Sequence, residues 1–319
     1  MECLIGADPE FFVKKDGKFV SAYGLIEGTK KNPQKVPGGA VQVDGMALEF
    51  NIDPASTFEE FNNNINKVLG HLRAMVPPEY EFAFVPVAHF DPAYLKDQPL
   101  EARQLGCEPD FNAYTGAANP VPNVEATFRT ASGHIHIGWD KNQDINDPEF
   151  LEACRMMTKQ LDVVLATSSI LYDFDTTRRQ LYGKAGAFRP KPYGVEYRVL
   201  SNAWLADKDK RKFVFCEALN AFNKLIKGNN FSEYYGADIQ RYINEDKYGS
   251  CHFIAREFLS RNYPFLEEGY RTRVSIANKA RIEARNLKKV VSKQYSNAPI
   301  AVKAWEWAPK RDRLGRFAA

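Results

Sequence analysis

The chain has 319 residues, of which 44% are hydrophobic and 26% charged, with 22 Phe and 15 Tyr. Such a composition supports one large folded domain or two medium ones and excludes a disordered chain. A formal net charge of only +3 excludes a strong overall field for nucleic acid or membrane.

No basic stretch followed by an apolar run opens the chain, and no run of about 18 apolar residues occurs, so neither a signal peptide nor a membrane span is expected. Cys3, Cys107, Cys154, Cys216 and Cys251 form no CxxC pair. They are expected to be reduced core thiols of a cytoplasmic protein.

Residues 3–6, then 11–13 after the Asp-Pro step, and 19–23 predict a hairpin turning at Lys15-Asp16-Gly17-Lys18. Residues 27–39, rich in Lys, Gly and Pro, predict a loop. A strand from Ala40 through Val43, a bend at Gly45 and a strand from Ala47 to Ile52 follow. Ser56-Thr57 caps a helix running to Met75. Thr57 and Glu60 have capping-box spacing, Phe61, Ile65, Val68 and Leu72 recur at helical period, and Pro77-Pro78 stops it. A strand over 81–87 comes next. Residues 89–130, rich in Pro, Asn and Gly, predict a long excursion that shapes a substrate pocket. Then come a strand over 132–139, a helix from Pro148 to Ser168, a strand over 195–200, a helix over 209–226 and a turn region at 264–269. The polar, basic end, 310–319, is expected to fray.

Strands and hairpins with a few long helices between them predict an α+β fold, with a mostly antiparallel sheet and helices on one face. No GxGxxG follows a strand and no GxxxxGK[ST] occurs, which disfavours dinucleotide and P-loop sites.

Four polar clusters sit in these strands: Asp8 and Glu10, Asp44 and Glu49, His134 and His136, Glu196 and Arg198. A carboxylate in a sheet-forming run is costly unless something pairs with it, and one shared set of hard cations could serve them all. Asp8 and Glu10 share a face if the stretch is extended, and Pro9 between them predicts an edge strand or a bulge. The alternation His-Ile-His-Ile sends both imidazoles away from the core. Gly133 and Gly138 beside them leave room for a ligand near the backbone, although an HxH pair alone is equally compatible with core histidines. Glu196 and Arg198 also share a face, as a sheet salt bridge would. Asp44 and Glu49 cannot share a face in one unbroken strand, so Gly45 must reset the register. Arg178, Arg179, Lys184, Arg189 and Lys191 make a basic stretch around Gly183 and Gly186, expected as a flexible loop suited to phosphates.

In the order and spacing of these motifs, from about residue 3 to about 205, the sequence resembles the phage-encoded COOH–NH2 (carboxylate–amine) ligases. It is thereby similar to the glutamate–cysteine ligases and other amidoligases of glutamine-synthetase-like fold. The resemblance implies a curved, mostly antiparallel catalytic sheet in a single domain, 1–309, with 310–319 as a flexible tail. It implies two or three Mg²⁺ or Mn²⁺ ions on Asp8, Glu10, Glu49, His134 and Glu196, where the family's usual glutamate pair makes Asp8 a departure. His136, Lys184 and Asp44 are implied in ATP binding, and Arg198, Arg178, Arg179 and Arg189 at the transferred phosphate. It implies ATP as cosubstrate, a carboxylate and an amine as substrates, and an amide formed through an acyl phosphate. Neither a membrane nor nucleic acid is an expected partner, a homo-oligomer is compatible, and a phage-encoded protein would work in the host cytoplasm. Three other readings stay open: a guanidino kinase on the same sheet, a metal-dependent amide or phosphoester hydrolase, and a phage structural or nucleic-acid-binding protein with a basic tail.

Overall fold

The computed structural model describes residues 2–103, 110–120, 127–236 and 238–296. Cys107 and the basic tail over 310–319 lie outside them. One compact unit reaches to Arg273, and a second begins at Val274 within the last helix.

The longest strand, β1 (Leu4–Lys15), organises the rest. Ile5, Ala7, Phe11 and Val13 are buried on one of its faces, which leaves Gly6, Asp8, Glu10 and Phe12 on the other. The strand does not break at Asp8-Pro9. It runs on to a turn at Asp16 and Gly17, at φ 52° and 74°, and returns as the short β2 (Lys18–Val20). Pro9 is therefore not on an edge strand, since β1 pairs on both sides. Ile5, of the same parity, donates its N–H to Ala55, away from the strand at 133–138, while Glu10 donates to Ser132. Pro9 points its missing donor into the gap between the Ile5–Ala55 bridge and the pairing of Glu10 with Glu49, so no ladder bond is lost.

Further strands are β3 (Gln34–Val36), β4 (Gly39–Asp44), β5 (Ala47–Ile52), β6 (Glu81–Ala83), β7 (Val87–His89), β8 (Phe111–Asn112), β9 (Phe128–Thr130), β10 (Gly133–Gly138), β11 (Ala187–Lys191) and β12 (Gly194–Tyr197). A ten-stranded sheet runs β3-β4-β5-β1-β10-β12-β11-β8, with β2 and β6 also on β1, and β7 and β9 form a separate pair. Every ladder among the described residues is antiparallel. The strand expected over 81–87 divides into β6 and β7 ahead of and after Pro86, which cannot donate to a ladder. The loop over 27–39 contains β3. Of the basic stretch before Glu196, expected as a flexible loop, Arg178 and Arg179 lie on a helix (Thr177–Leu181), Lys184 in a turn, and Arg189 and Lys191 on the hairpin strand β11. Its Pro190 points outward, beyond the two residues that pair with β8, where a missing N–H is tolerated.

Helix α1 (Phe58–Met75) starts with the expected capping box of Thr57 and Glu60. The excursion over 89–130 holds α2 (Pro92–Lys96) and α3 (Leu100–Arg103). The helix expected over 148–168 is α4 (Pro148–Leu161), a π-helical turn over Asp162–Ala166, and α5 (Thr167–Ser169). After α6 (Thr177–Leu181) and α7 (Lys208–Leu225) come α8 (Ser232–Tyr235), α9 (Asp238–Asn244), α10 (Tyr248–Phe258) and α11 (Pro264–Ser296). The turn region over 264–269 is thus the first turn of a helix, where proline is favoured. Helices α1, α4 and α7 pack on one face of the sheet. There Ile135, Ile137, Val195, Tyr197, Leu48 and Phe50 are fully buried, each apolar side chain contributing about 1.5–3 kcal/mol. Among the described residues the opposite face is open, except where Phe12, Met46, Ala47 and Phe90 form a second small cluster.

Candidate active site

The strand registers carry the polar clusters together on that open face. Arg189 pairs with Glu196, Glu196 with His136, and His136 with Gly6. Asp8 stands opposite His134, and Glu10 opposite Glu49. Gly6 adds no side chain beneath His136; a Cβ there would lie 3.4 Å from His136 Cβ. Asp44 joins Glu49 because Gly45 and Met46 turn the chain into a hairpin. In it Asp44 pairs with Ala47 and Gln42 with Glu49, so Gln42, Asp44 and Glu49 share one face.

Two carboxylate clusters result. In each, three ligand atoms lie within 4.8 Å of one another, from Asp8, His134 and Glu196 in one and from Glu10, Asp44 and Glu49 in the other. His134 Nδ1 is 3.4 Å from Asp8 Oδ1 and 3.5 Å from Glu196 Oε1, and His136 Nε2 is 3.0 Å from Asp8 Oδ1. Even so, Asp8 Oδ1 is buried without a geometrically sound hydrogen bond, as an oxygen facing a cation position is. Burial and Arg198 hold His134 down to about 4, so its imidazole is neutral and can donate a lone pair. His136 differs. Its Nδ1 is 2.6 Å from the Tyr193 hydroxyl, while its Nε2 makes only a charge contact with Asp8.

The electrostatics of the clusters are opposite. Burial and Asp8 push Glu196 up, but Arg198 and the two histidines outweigh them and hold it at about 2. Burial likewise raises Asp8, yet His136 and His134 bring it well below the carboxylate range. Glu49 is raised well above that range by burial and by Glu10, Asp8 and Asp44. Glu10 is raised by burial and Asp44, against the N–H of Ser132. Carboxylates crowded in this way keep their protons unless a cation is placed among them. The donor set, all oxygen in one cluster and two oxygens with one imidazole nitrogen in the other, suits Mg²⁺ or Mn²⁺.

Basic groups surround the clusters. Lys191 Nζ is 2.8 Å from Glu196, Arg189 3.4 Å, and the Arg198 guanidinium is in close contact with it. Lys30 reaches Asp44 at 2.9 Å. Arg178 donates to the carbonyls of Val199 and Arg198 at 2.7 and 3.0 Å, bracing the bend that presents Arg198. Two residues of the basic stretch lie elsewhere. Arg179 is buried against Asp173 and Asp246 at 3.5 and 3.3 Å, and Lys184 sits in the turn entering β11, its carbonyl accepting from Ala187. Neither lines a cavity of the open face.

Two cavities flank the clusters, and Asp8 and Glu49 line both. The smaller, about 280 Å³, carries Lys30, Arg129, Arg178, Arg189, Lys191 and Arg198. The larger, about 860 Å³, is bordered by His136, Trp139, Tyr193, Leu4 and Pro54. Gly138 opens onto it, whereas the space beside Gly133 is filled by the Ser201 carbonyl and the Trp204 indole. Asn202 and Trp204 serve the scaffold: the Asn202 amide donates to the Glu10 and Val85 carbonyls, and the Trp204 indole to that of Gly133.

Sequence reasoning passed over Lys30, Arg129, Gln42, Tyr193 and Asp110. Gln42 donates to Glu49 at 2.6 Å, and Asp110 accepts from Arg198 Nε at 3.2 Å. Gln42 could have been found from period-two alternation with Asp44. Asp110 carried no such signal, because its pairing with Arg198 spans 88 residues.

No curated protein matches the chain. A family model does: residues 126–238, which hold the histidine strand and the hairpin of Glu196, match the phage phiEco32-like COOH.NH2 ligase-type 2 family, the family that the sequence resembles.

Proposed function

We propose that the protein is an ATP-dependent carboxylate–amine ligase that forms an amide through an acyl phosphate. The ligase-type family match supports an enzyme of this kind. The observation that carries the reading is the pair of carboxylate clusters on one open face, with a cationic cavity on one side and an aromatic one on the other. A nucleoside is too bulky for the smaller cavity once phosphates share it, and Trp139, Tyr193 and His136 offer ring faces in the larger. The triphosphate then lies over Asp8 and Glu49 toward Arg189, Lys191 and Arg198.

Divalent cations held by Asp8, His134 and Glu196 and by Glu10, Asp44 and Glu49 would neutralise phosphate oxygens and act as Lewis acids. The chain's own groups do the rest. Arg198 and Arg189 draw the substrate carboxylate and the γ-phosphate together against their mutual repulsion. A carboxylate oxygen bonds to the γ-phosphorus as the bond to the β,γ-bridging oxygen breaks, giving ADP and an acyl phosphate. An amine nitrogen then attacks the acyl carbon, phosphate leaves, and the nitrogen loses a proton.

A screen of carboxylates and amines for ADP release with Mg²⁺ or Mn²⁺, with mass spectrometry of products, tests the proposal. ADP and phosphate released together with an amide product support it. A stable phosphorylated product points instead to a kinase, and turnover without nucleotide to a hydrolase.

A further inference from the structure

Behind the sheet, on the helix side, lies a buried carboxylate that the reaction does not touch. Asp162 is fully buried at the start of the π-helical turn that follows α4. Its Oδ1 accepts from the Tyr197 hydroxyl at 2.6 Å and its Oδ2 from the Tyr114 hydroxyl at 2.9 Å. The Gly186 N–H also favours its charged form. Burial pushes the carboxyl up to about 7 even so, against these three donors. A charged group in such a place is strongly destabilising unless its partners are fixed, and π-turns in helices are often found at functional sites.

Each partner leads to the active face. Tyr197 lies between Glu196 and Arg198 in sequence. Gly186, at φ +82°, opens the strand that carries Arg189, and a Cβ there would lie 2.6 Å from the Tyr114 ring. Tyr114 lies four residues after Asp110, the acceptor of Arg198 Nε. The segment they span is also tied to Gly186 through Ala113 N–H, at 2.8 Å, and to Arg155 Nε through the Ala113 carbonyl, at 3.0 Å.

We propose that Asp162 is a positioning residue. From behind the sheet it clamps β12, the entry to β11 and the Tyr114 segment together, and so sets Asp110 against the Arg198 guanidinium. That Arg198 serves phosphoryl transfer rests on the ligase reading; that Asp162 fixes its place does not.

Hydrogen exchange on the full chain tests the clamp for Asp162→Asn and, should that variant fold poorly, for Tyr114→Phe, which removes one hydroxyl and leaves the carboxylate. Amides of 110–120 and 187–198 should exchange about tenfold faster, the loss of roughly one buried hydrogen bond, with α1 unchanged. Unchanged exchange in 110–120, or an equal rise in α1, overturns the clamp. Binding of Mg–ADP with and without aluminium fluoride, a phosphate mimic, tests the consequence. The variants should keep Mg–ADP affinity and lose most of the gain from fluoride. Variants that match the unmodified chain in both overturn the positioning role. If the unmodified chain binds no Mg–ADP, the ligase reading falls, and the exchange result alone judges the clamp.

Discussion

The two carboxylate clusters share one sheet face and one strand, yet they meet opposite electrostatic conditions. Asp8, His134 and Glu196 stand among Arg198, Lys191, Arg189 and His136, and their carboxyls are held low. Glu10, Asp44 and Glu49 stand mainly among one another, with Lys30 at the rim, and Glu10 and Glu49 are held high. The first cluster is neutralised by the fold itself. The second keeps protons unless a cation joins it. The difference teaches that a carboxylate triad alone does not define a cation site; the charge the protein has already supplied decides how strongly a cation is wanted.

The largest effect is expected at Glu49. Even partners that only orient a metal ligand are worth about 10–100-fold in affinity, so Glu49→Gln should weaken Mn²⁺ binding by at least about 100-fold. Titration calorimetry or Mn²⁺ resonance measures it. Glu196→Gln should weaken Mn²⁺ binding less, while abolishing ADP release in a protein that stays folded. Equal losses of Mn²⁺ affinity in the two variants would erase the distinction between the clusters.

Arg198→Lys keeps the charge but loses the fork that spans Glu196 and Asp110. A fall in ADP release of about 100-fold is expected, as for the loss of one transition-state donor, with little change in melting temperature. If lysine restores most of the activity, Arg198 is merely Glu196's counterion.

The histidines sharpen the comparison within the first cluster. His134→Asn should lower Mn²⁺ affinity by about tenfold and leave ATP binding at saturating Mg²⁺ nearly intact. His136→Asn should do the reverse, since its Nδ1 is held by Tyr193 and its ring borders the larger cavity. Nucleotide and Mn²⁺ titrations of both variants would reveal an exchange of these roles.

The smallest effect is a pH dependence of stability, with opposite signs for the clusters. A raised carboxyl holds its proton longer in the folded state. Its stabilisation is present below the ordinary value of 4.5 and is lost as pH rises through the raised one. Glu10 and Glu49 therefore act against the metal-free fold at neutral and alkaline pH. Asp8 and Glu196 contribute above the ordinary range and lose that contribution as pH falls, for Glu196 through about 2. Mg²⁺ should thus raise the melting temperature by a few degrees more at pH 8 than at pH 5, roughly the effect of 1 kcal/mol in a chain of this size. An equal increment at both pH values speaks against cation uptake at Glu10 and Glu49.

Local physics made much of this legible in the sequence. Helix α1 follows from its capping box and its apolar period, and the histidine strand from strict alternation, because both depend on neighbours within four residues. The same alternation put His134 with His136, and Asp8 with Glu10, on shared faces. The tertiary structure decided what alternation cannot express. Whether Glu10 meets Glu49, or Asp8 meets His134, is a matter of strand register between segments far apart in the chain, fixed by which apolar faces pack under α1, α4 and α7. Arg178 and Arg179 are adjacent in sequence, yet one faces the cavity and the other is buried against Asp173 and Asp246, because successive positions on a helix point in different directions. Pro9 and Pro190 masked strands that the sheet accommodates by turning the missing donor to where no ladder partner stands. The types of group needed for the chemistry were written in the sequence. Their charge states, and which of them stand together, were set only when burial and distant basic groups were brought to the same face.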